Sequence, residues 1–127
     1  MNNDSSKPNN KSILKHRSFT FSKQLLKVVA LLPNKKIYWV ITDQLLRSGT
    51  SIGANIIEAQ AASSKKDFIK FFQIALKSAN ETEYWLNLLK NLPEVNKQDI
   101  DNLINEVQEL SKMLAASLIT LKGKRLI

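Results

Sequence analysis

Two helical runs meet between Gln44 and Glu81, and this segment constrains the fold more than any other part of the chain. Apolar residues recur in both runs at three- and four-residue spacing, which is the period of an amphipathic helix. The sequence Ser-Ser-Lys-Lys-Asp, beginning at Ser63, separates the runs and predicts a turn. Polar residues also recur within each run, so the segment predicts a helical hairpin with an interior polar seam.

The periodicity in the rest of the chain predicts two further helices. Pro33 ends the first helix, while Ser18, Ser64 and Asn96 are candidate N-caps of the first, third and fourth helices. The predicted helices are Phe19–Leu32, Lys36–Ala62, a third that follows Ser64 and ends near Asn91, and a fourth that follows Asn96. These elements predict an all-α, antiparallel up-and-down four-helix bundle over residues 18–122, with a disordered basic tail at 1–17 and a short basic tail at 123–127.

Gly49 and Gly53 lie four residues apart in the second helix and predict close approach of a neighbouring helix. The fourth helix has a heptad pattern of apolar residues, which favours shallow helix crossing. The third helix has a second apolar stripe, interpreted either as a contact with another subunit or as a broad core face. That stripe comprises Phe71, Ile74, Trp85 and Leu88.

The composition makes several chemistries improbable for a chain of 127 residues. With no Cys and a single His, His16, the chain has no thiolate metal site and no His-rich metal cluster. A serine nucleophile needs a nearby general base, and His16 falls outside the predicted bundle. We therefore expect no enzymatic activity, no catalytic residue, no metal and no cofactor. We also expect a soluble cytoplasmic protein without a membrane segment, because no signal peptide or long apolar run is present.

The polar seam can be paired by register. In an antiparallel hairpin that turns near Ser64, residues whose numbers sum to about 128 lie at the same height. Ser51 then faces Ser78, and the charged residues at either side also face one another, Arg47 with Glu81 and Glu58 with Lys70. We interpret the seam as a device that fixes helix register, with a catalytic role as the alternative. The seam comprises Arg47, Ser51, Asn55, Glu58, Lys70, Ser78 and Glu81.

The net charge of +8 is concentrated at the ends of the chain. Residues 1–36 contain eight Lys or Arg against Asp4 alone, whereas residues 37–121 contain eight bases and ten acids. An up-and-down bundle places both termini and the turn near Ser64 at one pole, which predicts a cluster of bases there. The predicted cluster comprises Lys7, Lys11, Lys15, Arg17, Lys65, Lys66, Lys122, Lys124 and Arg125.

Such a cluster predicts a polyanion such as RNA or DNA as a partner, with simple solubilisation as the alternative. No aromatic residues are interleaved with these bases in the sequence, so stacking of single-stranded bases is not indicated.

The helix-two motif and its continuation resemble a known bacterial family. The motif runs Gln-Leu-Leu-Arg-Ser-Gly-Thr-Ser-Ile-Gly-Ala-Asn-Ile-Ile-Glu-Ala from Gln44, and is followed by Ser-Lys-Lys-Asp-Phe from Ser64 and Glu-Thr-Glu-Tyr-Trp-Leu from Glu81. It resembles the four-helix bundle proteins encoded in intervening sequences of large-subunit ribosomal RNA genes, and is similar to the accessory variability determinant of diversity-generating retroelements. The resemblance implies a homopentameric ring. Within the group it is the retroelement member that binds nucleic acid and partners a reverse transcriptase. For this chain the cluster of bases leads us to expect a nucleic-acid-binding or accessory module, with an adaptor for a protein partner such as a reverse transcriptase as the alternative.

Overall fold

The structure is a computed structural model that describes residues 10–126, with side chains described from residue 11 to residue 123. The described chain forms four helices, namely α1 (Asn10–Ala30), α2 (Lys36–Gln60), α3 (Lys65–Lys90) and α4 (Lys97–Leu126). Each helix packs against two others in the cyclic order α1, α2, α3, α4. Short connections between successive helices make neighbours antiparallel. The fold is an all-α four-helix bundle, as the sequence predicts.

Polar caps set the starts of two helices where the sequence predicts them. The Ser64 side chain accepts a hydrogen bond from the backbone N–H of Asp67 at 3.1 Å, at the start of α3. The Asn96 side chain accepts one from the backbone N–H of Asp99 at 3.0 Å, at the start of α4. Each cap satisfies a backbone donor that the first turn of a helix leaves without an intrahelical partner.

Helix α1 begins nine residues before its predicted start, at Asn10 rather than Phe19. The predicted disordered tail is therefore wrong for residues 10–17, while residues 1–9 lie outside the described chain. Leu14 is fully buried in the core, and Ser18 is a buried residue in mid-helix whose hydroxyl donates to the carbonyl of Lys15 at 3.2 Å. Ser18 is thus not an N-cap. Its small side chain occupies an inward position between Leu14 and Phe21, and this continues the buried face of the helix.

Helix α4 also extends further than the sequence predicts. It continues to Leu126, so the short C-terminal tail expected at residues 123–127 is helical over 123–126. Ile127 lies outside the described residues. The heptad positions Ile100, Val107 and Leu114 are buried, which confirms the predicted core face of this helix.

The two glycines of α2 mark the place where α1 packs most closely. A Cβ atom added to Gly49 would lie 2.3 Å from Cδ2 of Leu25, and one added to Gly53 would lie 3.2 Å from Oγ of Ser18. Both contacts are closer than van der Waals packing allows without a shift of the neighbour. The absence of side chains at these two positions therefore lets α1 approach α2, as the spacing of the glycines predicts.

Candidate functional site

Hydroxyl groups, rather than charges, form the polar contact between α2 and α3. Oγ of Ser78 donates to Oγ of Ser51 at 2.9 Å, which confirms the predicted pair. Nδ2 of Asn55 donates to the same Ser51 oxygen at 2.9 Å. One turn away, Oγ1 of Thr82 donates to Oγ of Ser48 at 2.9 Å. We call Ser48, Ser51, Asn55, Ser78 and Thr82 the hydroxyl network.

The two predicted charge pairs of the seam do not form. Arg47 is 74% exposed at its side chain and pairs with Asp43 on its own helix, Nε to Oδ2 at 3.3 Å. Glu81 is exposed and accepts a hydrogen bond from Nε1 of Trp85 at 3.0 Å. The predicted contact between Arg47 and Glu81 is therefore wrong.

The predicted contact between Glu58 and Lys70 is wrong as well. Both residues are exposed, and within the described chain no ion pair joins them. Nζ of Lys70 lies instead 5.8 Å from the centroid of the Phe71 ring. The charged part of the predicted seam is on the surface of the bundle.

The error lies in the rotation of the helices and not in their register, which is within about two residues of the predicted one. Successive helical residues are rotated by about 100°, so a step of four residues adds about 40°. Arg47 precedes Ser51 by four residues, so it is turned from Ser51 by about 40°, in the sense away from buried Ser48. Glu81 is turned from Ser78 by about 60°, in the sense opposite to buried Thr82. Ser51 is half-buried and Ser78 is buried, and the two charged residues lie further out, on the surface of the bundle.

The sequence reasoning missed Ser48 and Thr82, although a signal was present. Ser48 lies three residues after Leu45 and four before Ile52, both fully buried. Thr82 lies three residues after Ala79 and four before Leu86, which are also fully buried. A hydroxyl residue that occupies an inward position of an apolar stripe needs a partner inside the bundle. The apolar stripes of α2 and α3 face one another, so Ser48 and Thr82 are hydrogen-bond partners.

The hydroxyl network lacks the groups that would activate a nucleophile. Its members are Ser, Thr and Asn, and none of them is a general base near neutral pH. His16 lies exposed on α1. Between residues 10 and 126, no three His, Cys, Asp or Glu side chains are grouped so as to hold a metal ion. Every buried side-chain N or O atom in the described structure has a hydrogen-bond partner. What the network does provide is two hydrogen bonds that join α2 to α3.

Three segments that contain described residues of the predicted basic cluster meet at one end of the bundle. Lys11 of α1, Lys65 of α3 and Leu121 of α4 line one cavity of about 570 Å³, which shows that the three segments meet there. Lys7 lies outside the described residues, and the side chains of Lys124 and Arg125 do too. The described lysines of this end, which we call the lysine pole, are Lys11, Lys15, Lys65, Lys66 and Lys122.

Arg17 does not belong to the free positive surface, contrary to the prediction. Nη2 of Arg17 lies 2.6 Å from Oε1 of Glu106 on α4, and Nε donates to Oε2 at 2.9 Å. The hydrogen bond with Glu106 is the main cause that raises the pKa of Arg17, and it outweighs the opposing effect of burial. This bidentate ion pair between Arg17 and Glu106 joins α1 to α4 and neutralises the charge of Arg17 locally.

The two ends of the bundle differ in how their lysines are compensated. At the end opposite to the lysine pole, Lys35 pairs with Glu94 at 2.6 Å and Lys90 pairs with Asp101 at 2.6 Å. At the lysine pole, none of the five lysines forms an ion pair with a described residue. Lys27, Lys36 and Lys97 at the opposite end also form no ion pair with a described residue, so the two ends differ by two paired lysines against none.

Two apolar surfaces lie elsewhere on the bundle. The first, which we call the α1–α2 groove, has a volume of about 560 Å³. Its walls include Phe19, which is 62% exposed, and Ile57, which is 45% exposed; its floor includes Gly53 and Ala54. The second surface is the predicted helix-three stripe of Phe71, Ile74, Trp85 and Leu88, all partly or substantially exposed. Both surfaces can take part in contacts with another protein.

The structure places the chain in the class of antiparallel four-helix bundles. Hydrogen bonds between hydroxyl groups join α2 to α3, and one end of the bundle is rich in lysine. The chain belongs to the 23S rRNA-intervening sequence protein family, whose model matches residues 10–116. It is 39% identical to a crystallised protein of unknown function from the S23 ribosomal protein family of Bacteroides thetaiotaomicron, with a TM-score of 0.80, and the match covers 87% of this chain and 98% of that one. No curated protein matches the chain. Among residues 10–126, no helix has both the length and the apolar character that crossing a membrane requires.

Proposed function

We propose that this protein is a non-enzymatic helical module that binds the phosphate backbone of a nucleic acid through the lysine pole. The observation that carries the proposal is the contrast between the two ends of the bundle. Two lysines of the opposite end, Lys35 and Lys90, are paired with acids, whereas no lysine of the lysine pole forms an ion pair with a described residue. Phosphates supply the missing negative charge. The description of the family names an intervening sequence of 23S rRNA, which makes RNA the first polyanion to test.

Binding of this kind has a recognisable physical signature. Lysines that neutralise phosphates release condensed counterions, so affinity falls steeply as salt rises. Contacts with phosphates carry no direct sequence information, so RNA sequences of equal length and structure bind with similar affinity. In an oligomeric ring, several copies of the lysine pole would act together and raise the apparent affinity.

A fluorescence anisotropy titration of the full chain with labelled RNA tests this proposal. We expect binding at about 50 mM salt and a large loss of affinity at about 200 mM. A shuffled RNA of the same length and structure serves as the control for sequence dependence. Absence of binding at the lower salt, or an affinity that salt does not change, would refute the proposal.

We also propose that the protein assembles into a closed ring, the homopentamer that the resemblance implies. A ring joins two different surfaces of successive copies. The α1–α2 groove and the helix-three stripe are two such surfaces, since α3 is diagonal to α1 across the bundle. In the ring, the helix-three stripe of one copy would pack into the α1–α2 groove of the next and cover its exposed apolar side chains.

Two exposed substitutions test the ring by light scattering. Ile57→Asp places a charge in the α1–α2 groove, and Ile74→Asp places one on the helix-three stripe. Each variant alone should be monomeric, because each lacks one of the two surfaces. An equimolar mixture keeps one intact pair and should form dimers that cannot grow further. A wild-type chain that is monomeric at high concentration would refute the ring, and variants that still form the wild-type assembly would refute this choice of surfaces.

The alternative function is an adaptor that recruits a protein partner, such as a reverse transcriptase, without binding nucleic acid. Exposed aromatic side chains favour it, because Trp39 is 55% exposed and Tyr84 is 59% exposed, and such residues are enriched in protein interfaces. A pull-down with purified candidate partners distinguishes the two functions. Recovery of a partner by a chain that fails to bind RNA would favour the adaptor, whereas tight RNA binding without a protein partner would count against it.

A further inference from the structure

The lysine pole contains a cleft as well as a charged surface. The cavity of about 570 Å³ adjoins a second one of about 320 Å³, and both are lined by Lys11, Phe68 and Leu121. The first cavity has a polar mouth that includes Gln60 and Lys65. The second lies against α3 and α4, where its lining includes the apolar Phe72 and the polar Ser117 and Thr120. We call the two cavities together the pole cleft.

An aromatic ring lies inside the pole cleft. Nζ of Lys11 lies 4.5 Å from the centroid of the Phe68 ring, in a cation–π contact. The ring of Phe72 supports Phe68 from within the bundle, with centroids 4.6 Å apart. Lys11 is exposed on the first turns of α1, so its long side chain can move off the ring without any change in the backbone. The fold thus places next to Phe68 a lysine that is distant from it in the sequence.

We propose that the pole cleft binds one unpaired nucleotide, with its base stacked on Phe68 and its phosphate between Lys11 and Lys65. This inference rests on the proposed function and deepens it. The base replaces the Lys11 ammonium on the ring, and the displaced ammonium pairs with the phosphate that follows. The cavity volumes lie in the range of small-molecule sites, about 300 to 1,000 Å³. Bases within a duplex are stacked on one another and cannot enter, so single-stranded segments, loops and ends are the preferred ligands.

The substitution Phe68→Leu tests the stacking contact. Leucine keeps an apolar side chain at this partly buried position but removes the flat ring. Trp39→Leu is the control, because Trp39 is an exposed aromatic residue that lies outside the pole cleft, the α1–α2 groove and the helix-three stripe. Affinities of the wild type and both variants are measured by anisotropy for a single-stranded RNA and for an RNA duplex of the same charge. Circular dichroism establishes that the variants keep the helical fold.

We expect the wild type to prefer the single strand. Loss of one stacked base weakens binding by about 5- to 150-fold, so Phe68→Leu should lose affinity for the single strand by a factor in that range. Its affinity for the duplex should be unchanged, and Trp39→Leu should resemble the wild type with both ligands. Equal wild-type affinity for single strand and duplex would overturn the inference, as would an unchanged single-strand affinity in folded Phe68→Leu. In both cases salt-sensitive binding would leave the proposed function intact, whereas no binding of either ligand would refute both.

Discussion

Replacement of Gly49 by alanine tests the close packing of α1 against α2. The added Cβ would lie 2.3 Å from Cδ2 of Leu25, and 3.7 Å from the ring of Phe21. Leu25 and Phe21 are fully buried, so neither side chain can turn into solvent to make room. The bundle must either shift α1 outward or force Leu25 into a strained rotamer.

The magnitude follows from two opposing effects. Alanine is more favourable than glycine in a helix interior by about 1 kcal/mol. Overpacking of a core costs about 1 to 3 kcal/mol, and a contact of 2.3 Å belongs at the upper end of that range. We therefore expect Gly49→Ala to lower the free energy of unfolding by about 2 kcal/mol. The control is Gly123→Ala near the end of α4, where an added Cβ meets no atom within 4 Å. It should raise the free energy of unfolding by up to about 1 kcal/mol.

Equilibrium urea unfolding at one fixed protein concentration measures both effects, and a double-mutant cycle identifies the cause. Leu25→Ala alone should cost about 2 to 5 kcal/mol. In that background the clash is absent, so Gly49→Ala should become stabilising by up to about 1 kcal/mol. A Gly49→Ala protein as stable as the wild type, or an equal loss in both backgrounds, would show that Leu25 does not constrain this position.

Three further predictions concern charged residues and the start of α1. Arg47→Ala should change the free energy of unfolding by less than about 0.5 kcal/mol, because the Arg47 side chain is exposed; a loss of several kcal/mol in urea unfolding would indicate a buried pair. Deletion of residues 1–17 should destabilise the fold by at least about 2 kcal/mol, because it removes buried Leu14; an unchanged thermal midpoint would show that α1 begins later. The hydrogen bond to Glu94, aided by charge attraction, raises the pKa of Lys35 above its ordinary value of 10.5. The ion pair between Lys35 and Glu94 therefore stabilises the fold fully below pH 10.5, and this contribution is lost as the pH rises through the raised pKa of Lys35. The difference in free energy of unfolding between the wild type and Lys35→Gln should disappear above that pKa.

The sequence was sufficient to predict the fold class because breakers and caps separate the helices clearly. Pro33 lies in the first connection, and Ser64 and Asn96 cap the next two helices as predicted. The start of α1 could not be placed by the same signals. Ser18 has the chemistry of an N-cap, yet it occupies an inward position where α1 needs a small residue against Gly53. Tertiary packing, and not local N-cap propensity, therefore determines the role of Ser18 in α1.

The candidate site was less predictable, because it depends on how each helix is rotated about its axis. A register can be read from the hairpin turn, and it correctly paired Ser51 with Ser78. A rotation of about 40° about the helix axis nevertheless separates half-buried Ser51 from solvent-exposed Arg47, and residue spacing alone does not resolve that difference. The contact between Lys11 and Phe68 joins helices that are distant in sequence, so it becomes visible only in the folded bundle.

The central claim is that the lysine pole binds phosphates, and the salt dependence of RNA binding in two charge-matched variants tests it most directly. Lys65→Gln/Lys66→Gln removes two charges from the lysine pole, while Lys27→Gln/Lys36→Gln removes two exposed charges from the opposite end. The slope of log affinity against log salt should fall by about two units in the first variant and remain at the wild-type value in the second. Equal slopes in the two variants would contradict the account.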